Sequence, residues 1–391
     1  MERQFVRVAP HILDLADAGG ETQEALFVVD GKSALKLDNN EATIGPSPLV
    51  IRTIIQAVTN QGINIDADVF SRRLRRKISH YTGANYDSIA CFSGRTAAIE
   101  VLAKTYLAAG LESLISWPAE QAIADIFAAG GATHQKTNYR NIFMPTVEQI
   151  VELINPKTRL IYIGNPANPT GACLSEAEIV FLLSYAEGAM VVIDESYYEF
   201  SGMTVVDLTK KFANLAVLRT FDKAFAVAGA PSSYIVTDCQ NLRFMNRLGQ
   251  YNHPDMLAQA AAEAALDDIS YMVDYIRQVN RSKKMLLENL GRMGYDFVVT
   301  AANYLLIRTS KSETFAKILA KNNIYVRDLS NTPAMNGFIQ MAIGTPSQTE
   351  IVLDLLGRLS REYAAKLDRN FAGTIGDDPN VKRDNIPVLA K

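Results

Sequence analysis

The feature that most constrains this chain is an alternation. Between about residues 67 and 270, short apolar runs alternate with amphipathic stretches. Leu160–Gly164 and Met190–Asp194 are continuously apolar, the pattern of strands buried on both faces of a parallel sheet. Ser88–Phe92, Leu215–Thr220 and Ser233–Thr237 read as further strands, and Val69–Tyr81 and Ala97–Ala109 as helices. This order predicts an α/β fold, a mostly parallel sheet with helices on both faces.

The texture changes near residue 256. Met256–Leu266 reads as an alanine-rich helix and Ile269–Met293 as a long helix suited to bridge two domains. Strands over Leu305–Arg308, Ile324–Arg327 and Phe338–Ile343, separated by helical stretches, read as an α+β module. Near the N-terminus, Ala34–Leu37 reads as a strand and about Leu49 to Thr59 as a helix. The expected division is an arm (1–50), a large domain (51–275), a small domain (276–365) joined by the arm, and a tail (366–391).

Bulk properties narrow the function. A net charge of −3 and a pI near 5.9 give no basic field for nucleic acid or acidic membranes. The basic run Ser71–Lys77 has no interleaved aromatic residues to stack on bases and reads as a solvated helix face. Cys91, Cys173 and Cys239 are far apart and odd in number, which argues against a disulfide framework and points to the cytoplasm. The four histidines are scattered, so no metal site is expected. Neither a signal peptide nor a membrane span is expected, since no apolar run approaches ~20 residues.

Four segments carry candidate chemistry. In Ser93-Gly94-Arg95-Thr96 a strand hands over to a helix, where backbone N–H groups suit a phosphate. Asn165–Gly171 contains two Asn-Pro pairs after an apolar strand; it reads as a plain turn or as a loop that points the Asn168 amide at a ligand oxygen. Asp194-Glu195-Ser196-Tyr197-Tyr198 follows a buried strand, so Asp194 is either a helix N-cap or an acid at the ligand-binding edge of the sheet. Lys223 lies among small and apolar residues in Arg219–Gly229. Burial near a cationic group would lower its pKa and make it a nucleophile. Together these are the parts that pyridoxal 5'-phosphate (PLP) requires: a lysine for an imine, an acid for the ring nitrogen and donors for the phenolic oxygen.

Over residues 34–360 the chain resembles class I/II aminotransferases of fold type I, within them the histidinol-phosphate aminotransferase subgroup. The resemblance rests on Lys36–Glu41 with Gly45-Pro46-Ser47-Pro48, on Asn165–Gly171, on Val192–Phe200 and on Leu218–Gly229. It implies a PLP-dependent transfer of an amino group to a keto or aldehyde acceptor, in a homodimer. Lys223 is then the imine lysine and general base, Asp194 pairs with the ring nitrogen, and Asn168 and Tyr197 bind the phenolic oxygen. Ser93, Gly94, Arg95, Thr96 and Thr220 complete the cofactor site. Arg327 faces the substrate, with Gly45, Glu120 and Gln340 also on the substrate side.

The pocket departs from the family's pattern. Glu120 stands where an aromatic residue stacks on the ring, Asp222 where a serine binds the phosphate, and Pro231 where an arginine clamps it. Asn64 replaces a tyrosine from the partner subunit, and Gln340 the arginine for a substrate α-carboxylate. An amide does not reproduce a bidentate guanidinium–carboxylate pair. The substrate would therefore lack an α-carboxylate, or Arg327 would hold it. Arg95 is either the replacement counter-charge for the phosphate or a solvated side chain. Two other functions stay open: a different PLP reaction (decarboxylation, elimination or amine oxidation), and a non-catalytic relative.

Overall fold

The computed structural model of the protein describes residues 28–29, 32–61, 63–249 and 252–367. Most of the N-terminal arm and all but the start of the tail lie outside the described residues.

The central sheet has seven strands: β1 (Ile89–Phe92), β2 (Glu112–Ile115), β3 (Thr133–Lys136), β4 (Thr158–Gly164), β5 (Met190–Asp194), β6 (Leu215–Thr220) and β7 (Ser233–Thr237). Their order is β1-β7-β6-β5-β4-β2-β3, parallel except that β7 runs antiparallel to both neighbours. The strand period of two divides the core. Ile161, Ile163, Val191, Ile193 and Val217 point into one apolar cluster. Leu160, Tyr162, Val192, Ala216 and Leu218 point into the other. With both faces covered, β4–β6 read as continuous apolar runs. Leu218 is fully buried, and truncating such a residue to alanine costs about 2–5 kcal/mol.

Around this sheet lie α1 (Pro48–Gln56), α2 (Arg72–Thr82), α3 (Gly94–Tyr106) and α4 (Glu176–Tyr185). Local chemistry sets their ends. Pro48 occupies the first turn of α1 behind the Ser47 cap. Gly83, at φ +72°, closes α2 with its N–H on the Ser79 carbonyl. Ser175 and Glu178 form a reciprocal capping box on α4.

A 24-residue helix, α5 (Ile269–Arg292), leads to a four-stranded antiparallel sheet. Its strands are β8 (Asp296–Val299), β9 (Tyr304–Arg308), β10 (Arg327–Asp328) and β11 (Phe338–Ala342), in the order β8-β9-β11-β10. The N-terminal segment docks onto this unit. Leu35–Lys36 pairs in parallel with Ile324–Tyr325, and the Ala342 N–H donates to the Leu37 carbonyl (2.9 Å). The Asn303 amide donates to the Asn40 carbonyl (3.0 Å). These bonds hold Asn39 and Asn40 beside the pocket at the strand ends of the central sheet.

Several expectations need correction. Helix α3 begins at Gly94, three residues ahead of the expected Ala97, so the phosphate-loop segment is itself its first turn. Strands β2, β3 and β8 had no counterpart in the sequence reading. Two of them, Glu-Ser-Leu-Ile and Thr-His-Gln-Lys, are four residues each and carry polar side chains, and β3 is at the sheet edge. The basic run of α2 is more than a solvated face. Leu74 and Ile78 are buried, Arg73 pairs with Glu263 (3.1 Å), Lys77 pairs with Asp267, and Arg75 stacks on Tyr86 (4.0 Å).

Candidate active site

A cavity opens at the C-terminal ends of β4 and β5, where open α/β sheets bind ligands. Its wall includes Arg95, Glu120, Tyr162, Asn168, Asp194, Tyr197, Asp222 and Lys223. Strand register explains the convergence. Leu160, Tyr162 and Gly164 face the same side of β4, and Gly164 pairs with Asp194 across the ladder. Tyr162 and Asp194 therefore project from one face, and the Tyr162 hydroxyl bonds Asp194 Oδ2. The Ser196 N–H donates to the other oxygen, Oδ1 (2.9 Å).

Arg95, from the first turn of α3, crosses the cavity. Its Nε donates to Asp194 Oδ2 (2.5 Å), Nη1 to Glu120 Oε2 (2.6 Å) and Nη2 to the Tyr162 hydroxyl (2.7 Å). Glu120 Oε1 accepts from the Asn168 amide (2.7 Å), and Asn168 Oδ1 accepts from Gln340 Nε2 (2.9 Å). One hydrogen-bonded chain thus runs from Gln340 on β11 to Asp194 on β5. Burial would raise the Glu120 carboxyl, but Arg95 outweighs it and holds that group below its ordinary value. Burial and the neighbouring acids push the Tyr162 phenol well above 10 against the pull of Arg95.

Lys223 lines the same cavity. Its Nζ is 3.1 Å from Asp222 Oδ2 and donates to the Asn39 carbonyl (3.2 Å). Thr220 bonds the other oxygen of Asp222. Burial alone would depress the lysine, but Asp222 and Tyr197 outweigh it and raise its pKa. The depressed pKa expected for Lys223 is thus reversed, because its near neighbour is an anion rather than a cation. Burial raises the Tyr197 phenol against the opposing effect of Lys223. The Tyr197 hydroxyl accepts from the Asn40 amide (3.1 Å), and its ring meets Tyr304 edge-on at 5.5 Å.

The phosphate-loop segment carries a mixed signal. Ser93 is exposed and gives α3 no side-chain cap, which leaves its first-turn N–H groups free of a competing side-chain acceptor there. Gly94 sits at φ +85°, and a Cβ there would come 3.1 Å from the Cβ of Pro231. The proline thus packs against the loop where a longer side chain would pass. At Gly171, also at positive φ, any side chain would collide with Thr300, so glycine seats the Asn165–Gly171 turn on the C-terminal unit.

A family model for aminotransferase class I and II matches residues 32–356. The chain belongs to this family. It is 31% identical over 342 residues to a dihydroxyacetone phosphate transaminase of Campylobacter jejuni, covering 85% of this chain and 90% of the relative. It is 31% identical over 320 residues to a histidinol-phosphate aminotransferase of Carboxydothermus hydrogenoformans, covering 80% and 87%. Its fold matches the solved histidinol-phosphate aminotransferase of Sinorhizobium meliloti in complex with pyridoxal-5'-phosphate, with TM-score 0.81 and 20% identity over 92% of this chain and 99% of that one. The family's activity is PLP-dependent amino-group transfer, and this chain is a fold-type I enzyme of the histidinol-phosphate aminotransferase-like kind.

Of the residues that the sequence singled out, Lys223, Asp194, Tyr197, Asn168, Arg95 and Glu120 meet in the cavity. Thr220 supports Asp222 from behind, and Gln340 is fully buried against Asn168. Ser93 and Thr96 are exposed, and Gly94 accepts from Ser233 through its carbonyl (2.9 Å). Arg327 is half-buried and close enough for its charge to act on Glu120. Gly45 is exposed, and its carbonyl accepts from the Tyr271 hydroxyl (2.9 Å). Two expectations change. The Asn168 amide points at Glu120, and Arg95 is a partly exposed side chain whose guanidinium is bound by Asp194, Glu120 and Tyr162. Sequence reasoning missed Tyr162, hidden in an apolar strand, and missed the part played by Asn40, whose segment it had quoted without giving that residue a task.

The donor set fits a PLP ring in part. A lysine, a carboxylate and a phenol face one cavity, and the uncapped start of α3 suits an anion. The neighbourhood of the phosphate is less favourable, with Asp222 and Pro231 in place of a hydroxyl and a guanidinium.

Proposed function

We propose that this chain transfers an amino group from a primary amine to a keto or aldehyde acceptor, with Lys223 holding the cofactor covalently through Nζ. The observation that carries this reading is the convergence of Lys223, Asp194 and Tyr197 in one cavity at the strand ends. Bound PLP supplies the electron sink that makes the substrate carbon acidic. Asp194 would hold the ring nitrogen, oriented by the Ser196 N–H and the Tyr162 hydroxyl. Tyr197, with Asn40 donating to it, would hold the phenolic oxygen. To hold the cofactor covalently, Lys223 Nζ must first lose the proton that Asp222 stabilises. With Nζ free, Lys223 would carry a proton as general acid and base.

The substrate side favours an amine without an α-carboxylate. Gln340 is fully buried, its Nε2 donates to Asn168, and it offers no guanidinium. Arg327 is the alternative clamp. Two of the relatives are named for dihydroxyacetone phosphate and histidinol phosphate, neither of which carries a carboxylate. Product analysis tests this. A panel of amines with and without an α-carboxylate is expected to consume keto acceptor stoichiometrically only for the carboxylate-free members, and Lys223→Ala is expected to abolish turnover. Turnover confined to α-amino acids, lost in Arg327→Ala, would overturn the carboxylate-free substrate and leave Arg327 as the clamp.

We further propose a homodimer. Residues 51–70 expose Ile51 (46%), Ile55 (56%), Ile63 (72%), Ile65 (63%) and Phe70 (44%) within one stretch of chain, more apolar surface than a monomer comfortably leaves open. Among the described residues no helix is long and apolar enough to cross a membrane. The three free cysteines support a reducing compartment, and we place the protein in the cytoplasm.

A further inference from the structure

We propose that Arg95 is a built-in occupant of the seat that a ring nitrogen needs, so that cofactor loading is an exchange of one cation for another on Asp194. The inference rests on the cofactor reading above and adds to it a group that competes with the ring.

The geometry carries the argument. Asp194 has two oxygens: Oδ1 takes the Ser196 N–H and the Ser196 hydroxyl, and Oδ2 takes Arg95 and Tyr162. No side of the carboxylate is left for a protonated pyridine while Arg95 is in place. The guanidinium is in turn engaged through each of its three nitrogens, Nε, Nη1 and Nη2, with Asp194, Glu120 and Tyr162. Glu120 secures it from the far side, and Asn168 secures Glu120 (2.7 Å). Where an aromatic residue would lie flat on a ring, this chain has a carboxylate that draws Arg95 across the same space.

Charge points the same way. The cavity wall holds Arg95 and Lys223 against Glu120, Asp194 and Asp222, two cations facing three anions. Both cations are paired before any ligand arrives. A phosphate dianion therefore finds no unpaired cation among these wall residues, whereas a protonated ring nitrogen can replace Arg95 on Asp194 one charge for one.

The test compares two probes, PLP and pyridoxal, which share the ring and aldehyde but differ in the phosphate. Dissociation constants are measured by absorption titration of wild type, Arg95→Met and Glu120→Gln. Gel filtration and circular dichroism verify that each variant is folded. Removing the competing cation from a charged hydrogen bond is expected to tighten both probes about tenfold or more in Arg95→Met. Glu120→Gln, which loosens Arg95 while leaving Asp194 partnered, is expected to give a smaller gain in the same direction for both. If instead Arg95→Met weakens PLP and leaves pyridoxal unchanged, Arg95 is a phosphate anchor and the proposal is overturned. Unchanged constants for both probes in both variants overturn it too, while leaving the cofactor reading intact. Failure of wild type and both variants to bind either probe removes the proposal together with the cofactor reading.

Discussion

Arg95 and Arg219 are both held by acids that follow one another in the chain, Asp194 and Glu195, yet they have different surroundings. Strand alternation sends the two acids in opposite directions from the end of β5. Glu195 turns inward, where its Oε2 accepts from Arg219 (2.9 Å); the side chains are 3% and 1% exposed. Arg219 also bonds the Thr204 hydroxyl (2.6 Å) and lies 3.5 Å over the Tyr198 ring. Asp194 turns to the cavity, where Arg95 and Glu120 remain 25% and 29% exposed. The inner cluster is closed and has only a structural task. The outer one uses the same side chains in an opened wall, so its bonds can be exchanged for those of a ligand.

The sharpest way to break this contrast is Arg219→Met. It strands Glu195 in the core, and a buried carboxylate deprived of its cation costs about 3–5 kcal/mol. Urea unfolding measures the loss, and added PLP is expected not to restore it. Arg95→Met is expected to cost less, about 1–3 kcal/mol, because water reaches Glu120 through the cavity and the buried Asp194 keeps its bonds from Tyr162 and Ser196. Here PLP is expected to recover stability by occupying the vacated bond, seen as a larger ligand-induced rise in melting temperature than in wild type. Equal losses in the two variants would erase the distinction between a closed and an open cluster.

A smaller effect separates the clusters by pH. Glu199 lies near Arg219 and accepts from the Tyr81 hydroxyl (3.2 Å). Burial pushes its carboxyl up from the ordinary 4.5 to about 7, although Arg219 opposes the shift. The folded state then keeps a proton that the unfolded state has already released. Between about pH 4.5 and 7 the folded form binds more protons, so this contribution to stability is present at low pH and is lost as pH rises through 7. Glu199→Gln is expected to flatten that slope in unfolding free energies measured from pH 4.5 to 7.5. An unchanged slope would place the titration elsewhere.

The contrast also bears on what could be read from the sequence. β4 to β6 were legible because burial on both faces leaves a continuous apolar signal, and the cavity lies at their ends. Lys223, Asp194 and Tyr197 were legible because each sits in a segment with a recognisable neighbour pattern. The edge strand β3 was not, since polar residues on a sheet edge look like loop. Nor was the pairing of Arg95 with Glu120, which are 25 positions apart and come from different helix starts. The sequence reading named Glu120 as a departure and Arg95 as a candidate counter-charge, and only the spatial arrangement joins them into one ion pair. Tyr162 was lost for the opposite reason: within Leu-Ile-Tyr-Ile-Gly it carries the core signal, while its hydroxyl serves the cavity.

The most direct test of the account is to locate the covalent attachment. Wild type and Lys223→Ala would be saturated with PLP, treated with borohydride and digested, and the modified peptide mapped by mass. The account predicts one reduced adduct, on the peptide containing Lys223, and none in Lys223→Ala. An adduct on another lysine, or equal labelling of both proteins, would contradict it.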